Sequence, residues 1–421
     1  MACSKGAGLI EVARVEPVLE YAFRHALLHE AAYRSLLRQQ RRRLHRVVGE
    51  ALSEVVGDRG GELAAMLAAH FEQAGDADRA IDHLIGAGDH ALQRLANREG
   101  LAFYERADAA LPSKAVQVDR RLKLLLGLGR AQQRARSGDE ARATFNRAAE
   151  LARARDRAEQ LAEAALGSAE AWLVWDTEGQ LVRPLEEALE RLPEGPSPLR
   201  ARVLARLAQA LYADGTEERR QRLSAEAEEV ARAAGDDAAL AEVLLAKRPL
   251  LGPDDLEERL RVDEELVAIG ERTGDLRRAA DGHGWRLVDV LERGDIDEAD
   301  RALERHAELA EQLGEPLYQR DTVMWRAMRA LLAGRYGQAE ELMEEARRIG
   351  VAAGGPERRD HLPATTVGHA RGAGESRATG RALGGLARMG GRARRVHRRT
   401  RAPHGSSRPA GAGPGAVRAL G

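Results

Sequence analysis

Glycine-centred breaks recur along this chain at an interval near forty residues. They fall at Gly75, Gly138, Gly179, Gly215, Gly252, Gly294 and Gly334, and from Gly138 onward the spacings are 41, 36, 37, 42 and 40. Each break leads into a run of Ala, Leu, Glu and Arg, residues that cost little to place in a helix. One helix pair cannot bury its own apolar face, so units repeating at this period must stack and share a continuous core. The pattern predicts an all-α helical solenoid. Composition agrees: aromatics are 3% of the 421 residues and charged residues 32%. So few rings argue against a β-sandwich or barrel. A single cysteine, Cys3, excludes an internal disulfide and any cysteine-rich metal site, as in a reducing compartment. No run of eighteen apolar residues predicts a membrane span. Residues 1–8 lack the basic-then-apolar order of a secretory signal, so a cytoplasmic protein is expected.

Two of the breaks carry more detail. Gly75 is followed at +5 and +12 by Ala80 and Ala87, and Gly334 at the same offsets by Ala339 and Ala346. Gly294 and Gly138 keep the alanine at +5 (Ala299, Ala143) but have His306 and Glu150 at +12. These spacings resemble the second half of a tetratricopeptide repeat, where a glycine ends the first helix and small residues let the second approach its neighbours. Leu342, Met343 and Ile349 are expected to form an apolar face at the last repeat.

The start of the chain reads differently. Leu9–Val12 and Val18–Tyr21 are short mixed-apolar runs around a Val15-Glu16-Pro17 turn, a β-hairpin within residues 1–23. Connecting helices are expected over 24–60, first helical repeats over 61–112, and the main repeat array over 113–352. The segment Tyr21-Ala22-Phe23-Arg24-His25-Ala26-Leu27-Leu28-His29-Glu30-Ala31-Ala32-Tyr33 continues into Ser35-Leu36-Leu37 and Arg41-Arg42-Arg43-Leu44-His45. It resembles a stretch of the bacterial STAND-type signalling ATPases, including those fused to adenylate/guanylate cyclase or LuxR-type DNA-binding domains. Glu62–Ala64, Ala74-Gly75-Asp76, Ala87-Gly88-Asp89 and Ala96–Ala107 extend the likeness to about residues 9–112. The resemblance implies that residues 1–23 are the remnant of a winged-helix module and that the repeats act as a sensor. It also implies an interdomain contact through Arg24, His25, Arg41, Arg42 and Arg43. Without it, the arginines are a solvated helical face.

The phosphate-cradling loop of such an ATPase needs a glycine followed by lysine. The four lysines, Lys5, Lys114, Lys123 and Lys247, none of them after a glycine, exclude it from this chain. No catalytic constellation and no cofactor site is expected. The chain reads as a non-catalytic fragment that binds a protein or small ligand.

Net charge is unevenly spread. The whole chain is at −1, but residues 356–421 hold fourteen Arg, no Lys and three acidic residues, or +11, leaving −12 on the body. That tail has thirteen Gly, five Pro and no aromatic residue, so residues 353–421 are expected to be disordered. GC-rich DNA translated out of frame gives the same composition. The alternative function is a stand-alone adaptor that binds nucleic acid nonspecifically through these arginines. Without aromatic stacking, sequence is not read.

The remaining candidates are tryptophans. Trp172 and Trp175 lie three apart, and Trp285 and Trp325 occupy corresponding first helices of later repeats. They either line a groove for a peptide or small ligand or pack between repeats, the commoner fate of such residues. His25 and His29 have a metal-binding spacing, but Ala31-Ala32-Tyr33 breaks the zinc-protease pattern, and no metal is expected.

Overall fold

A Gly-Asp pair marks four of the helix junctions, and each residue has its own task. Gly75, Gly235, Gly274 and Gly294 adopt left-handed φ values of 66–89° and turn the chain out of one helix. The aspartate that follows caps the next helix. Asp76 accepts from the Arg79 amide, Asp236 from Ala239, Asp275 from Arg277 and Arg278, and Asp295 from Glu298. Gly314 and Gly334 turn the chain in the same way before Glu315 and Arg335.

The structure, a computed structural model, describes residues 10–14, 20–55, 60–111, 117–135, 137–170, 181–211 and 217–352. Trp172, Trp175, Gly179, Gly215 and residues 353–421 lie outside them. The chain divides into two compact units, one ending at Leu250 and the other beginning at Leu251. The first opens with antiparallel strands β1 (Ile10–Arg14) and β2 (Glu20–Phe23), in register Ile10 with Phe23 and Val12 with Tyr21. Twelve helices follow: α1 (Ala26–Ser35), α2 (Arg38–Val55), α3 (Gly60–Ala74), α4 (Ala77–Gln93), α5 (Asn97–Ala110), α6 (Val118–Arg134), α7 (Gly138–Ala154), α8 (Ala158–Glu170), α9 (Val182–Arg191), α10 (Pro198–Ala210), α11 (Glu217–Ala234) and α12 (Asp237–Lys247). The second unit holds α13 (Leu256–Thr273), α14 (Leu276–Arg293), α15 (Ile296–Leu313), α16 (Pro316–Leu332) and α17 (Tyr336–Ala352). From α2 onward, successive helices within each unit pack side by side, an all-α, tetratricopeptide-like arrangement. No helix among the described residues is long and apolar enough to cross a membrane.

Two of the expected turn positions are corrected. Gly138 does not end a helix; it is the first residue of α7, after the Ser137 cap. The small residues buried there are therefore Ala141 and Ala148, while Ala143 is exposed. Gly252 has extended backbone and starts a short 3-10 turn. In the second unit the turning glycines fall at 274, 294, 314 and 334, twenty residues apart, because both helices of each pair have 17–18 residues. The small residues at Ala80, Ala87, Ala339 and Ala346 are buried. Leu342, Met343 and Ile349 are half-buried on α17.

The cores run through consecutive helices. Ile81, Leu84 and Ile85 of α4 pack with Tyr104 of α5 and Leu124 and Leu128 of α6. In the second unit, Leu287 and Val290 of α14 pack with Ala299 and Leu303 of α15 and Met328 of α16.

Candidate functional site

Two surfaces gather the side chains singled out by the sequence. The first is formed by α1 and α2. Arg24 and His25 are exposed, and His25 occupies the cap position of α1 without capping it through its side chain. Arg41 lies half-buried with its guanidinium 5.3 Å from the centre of the Tyr33 ring. Arg42 donates from Nε to the Ala74 carbonyl at 3.3 Å, satisfying one of the open carbonyls at the end of α3. Arg43 is exposed. Arg41 and Arg42 therefore hold α2 to its neighbours inside the unit.

A chain of polar rings crosses the same three helices. The Tyr33 hydroxyl and His45 Nε2 are 2.9 Å apart, and His45 Nδ1 and His70 Nδ1 are 3.0 Å apart. A bond between two ring nitrogens holds one proton, so the pair cannot carry both imidazoles charged. Burial lowers the pKa of both, with Arg41 adding to the effect on His45 and His45 to that on His70. His29, the other half of the sequence pair, stands edge-on to Phe23 and stacked on Tyr33. Among the described residues no group of three His, Cys, Asp or Glu is placed to hold a metal ion.

The second surface lies on α14 and α16. Trp285 is 41% exposed, whereas Trp325 is half-buried, its ring lying over Gly284 and 4.4 Å from His306 in an edge-on contact. One turn before each tryptophan stands an aspartate, Asp281 and Asp321. Asp281 accepts from the Tyr318 hydroxyl and from Arg278, both at 3.1 Å. Asp321 pairs with Arg320 at 2.6 Å. Burial raises the pKa of both carboxyls against the opposing pull of these partners. Tyr318 titrates well above the usual phenol range, through burial and then the Asp281 charge.

Below them His306 is 1% exposed, with Nδ1 2.9 Å from the Thr322 hydroxyl. Thr322 spends its only proton on the Tyr318 carbonyl at 3.0 Å, so His306 donates from Nδ1, and burial lowers its pKa and favours the neutral ring. An ion triad ties α13 to α14: buried Arg259 reaches the buried Asp289 at 2.9 Å and the exposed Glu292 at 2.6 Å.

Beside this surface α15, α16 and α17 enclose an open cleft of about 540 Å³. Ala307, Ala310, Val323 and Ile349 form apolar parts of its lining, and Glu304, Glu308, Glu311 and Glu345 the acidic parts. Glu308 is paired with Arg305, but Glu304, Glu311 and Glu345 have no ion pair among the described residues.

Trp172 and Trp175 lie outside the described residues; Trp285 and Trp325 stand on α14 and α16, Trp325 against Gly284 next to Trp285 in the chain. Asp281, Asp321 and the cleft are not among the residues expected from the sequence. The forty-residue step that links Trp285 to Trp325 also links Asp281 to Asp321, a signal available in the sequence.

No family model matches the chain. An uncharacterized protein of Rhizobium meliloti is 33% identical over 158 residues, 36% of this chain but only 15% of that protein, so the match spans a small part of the relative's length. A Rap protein complexed with Competence and Sporulation Factor is 14% identical at a TM-score of 0.49, covering 86% of this chain and all of that one. A STAND protein with a tetratricopeptide repeat sensor, from Pyrococcus horikoshii, is 12% identical at a TM-score of 0.46, covering 77% of this chain and half of that one.

Proposed function

We propose that this chain is the non-catalytic, protein-binding sensor region of a STAND-type signalling ATPase, whose motor and output belong to other parts of a longer polypeptide. The Tyr21–His45 segment, with its resemblance to the stretch that introduces the repeats in that family, supports the context. On this reading Arg24 and His25 face the module that precedes the repeats. The competing adaptor reading rests wholly on residues 353–421, outside the described residues.

The observation that carries the binding function is the repeated Asp–Trp pair. Asp281–Trp285 and Asp321–Trp325 occupy matching positions on α14 and α16, which touch through Tyr318 with Asp281 and through Trp325 with Gly284. Carboxylates beside an exposed indole suit a peptide segment that carries basic and apolar side chains, with Trp285 as anchor. Selection of displayed random peptides against the full chain tests this. Selected binders should be basic and apolar, and should lose at least about tenfold in affinity against Trp285→Ala. Binders indifferent to both Trp285→Ala and Asp281→Asn would remove the proposed surface.

A further inference from the structure

The α2 helix carries a second apolar face that none of the described residues covers. Its docked side holds His45, Leu52 and the buried Gly49 against α3, where the Phe71 ring lies 3.1 Å from the position a Gly49 Cβ would take. Displaced around the helix from that side, Leu44, Val47 and Val48 are exposed by 50%, 54% and 41%, continuing from Leu37 just ahead of the helix. By contrast, among the described residues of the second unit the exposed large apolar side chains are Trp285, Ile296 and Leu317. Two exposed arginines stand on the same helix, Arg38 at its first residue and Arg43 next to Leu44, and neither has an ion pair among the described residues. Most arginines of the repeats are paired, so unpaired cations beside uncovered Leu and Val mark a face suited to an anionic, partly apolar counterpart.

Such a counterpart exists on the chain itself. The cleft between α15, α16 and α17 offers the inverse set: an apolar lining of Ala307, Ala310, Val323 and Ile349, with Glu304, Glu311 and Glu345 exposed and unpaired. Arg326 is the one cation of the lining. An amphipathic helix laid in a groove is a recurring mode of protein recognition. We infer that the α2 helix of one copy docks in the α15–α17 cleft of a second copy, its arginines against the unpaired glutamates. The two surfaces are different, so the contact is heterologous. It builds closed rings if the rotation between copies closes and open chains if it does not. This goes beyond the sensor function, since it uses neither Asp281 nor Trp285.

Charge reversal with exchange of partners is the test, on the full chain, by sedimentation velocity over a range of concentrations. All reversed positions are exposed, and circular dichroism checks that each variant keeps its helix content. The unaltered chain should grow in mass with concentration at about 50 mM salt and dissociate at about 500 mM, where exposed charges are screened over a few ångströms. Arg38→Glu with Arg43→Glu, and separately Glu304→Arg with Glu311→Arg, should each weaken association at least about tenfold. Mixing the two reversed chains in equal amounts should restore it, because acidic α2 then meets a basic cleft and basic α2 an acidic one. A chain that stays monomeric at every concentration overturns the inference. So does association indifferent to the reversals, or a mixture that fails to recover it. The peptide selection on Trp285 is unaffected by any of these results, so the two proposals fail separately.

Discussion

At His306 the fold holds a neutral imidazole where the unfolded chain would hold a charged one at mild acidity. Burial brings its pKa from 6.5 down to about 4, and the nearby His283 adds to the effect. Between these values the unfolded state binds the extra proton and the folded state does not. The stabilisation is therefore complete above about pH 6.5 and is lost progressively as pH falls to about 4, on the order of 3 kcal/mol in all. His283, His70, His45 and His83 shift in the same direction and add to the acid lability. Urea unfolding at pH 7.5 and 4.5 should show a large drop in stability, which His306→Gln reduces; an unchanged drop in that variant would contradict the protonation account. Leu95 is strained in another way. It sits at φ 62° in the turn between α4 and α5, the place that glycine fills after α3, and its side chain is 48% exposed. Left-handed backbone costs a residue with a Cβ roughly 1–2 kcal/mol. Leu95→Gly should therefore raise the unfolding midpoint, by about 1 kcal/mol once the extra freedom of glycine in the unfolded chain is subtracted. A lower midpoint would mean that the Leu95 side chain does more for packing than its exposure indicates.

At the scale of elements, the helices meet around aromatic rings held between glycines. Tyr104 on α5 lies between Gly88 of α4 and Gly127 of α6, and a Cβ at Gly88 would stand 2.6 Å from its ring. Phe145 on α7 sits likewise between Gly129 of α6 and Gly167 of α8. Tyr104 is fully buried and donates its hydroxyl proton to Asp89. A methyl group at Gly127 would run into the same ring, which has nowhere to move, so Gly127→Ala should cost about 1–3 kcal/mol despite the better helix propensity of alanine. Thermal unfolding measures it; a neutral or stabilised variant would show that α5 and α6 can slide apart. These glycines explain what was legible and what was not. Period and composition suffice for helices and for turns that use Gly-Asp, as at Gly75 and Gly294. A glycine within a helix looks the same in sequence as one that ends it. Gly138 therefore resembles a turn glycine in sequence although it lies in α7, and Gly235, Gly274 and Gly314 do not stand out although they turn the chain. Telling them apart needs the ring that fills the space, and Tyr104 lies sixteen residues from Gly88 and twenty-three from Gly127.

For the molecule as a whole, the candidate site was half legible for the same reason. The tryptophans stand out by rarity, four in 421 residues, but the aspartates one turn before Trp285 and Trp325 are lost among 67 acidic residues until α16 is seen to meet α14 through Tyr318 and Asp281. The two chemistries then divide between surfaces: a basic, apolar face on α2, and acidic faces on α14 to α17. The proposed capture of a basic, apolar protein segment by the Asp–Trp face of α14 and α16 is tested by a fluorescence titration of the full chain with one selected peptide, repeated on Trp285→Ala and on Asp281→Asn with Asp321→Asn. Saturable quenching of tryptophan emission is expected in the unaltered chain, and affinity at least about tenfold weaker in both variants with helix content unchanged. Equal affinity in all three chains would contradict it.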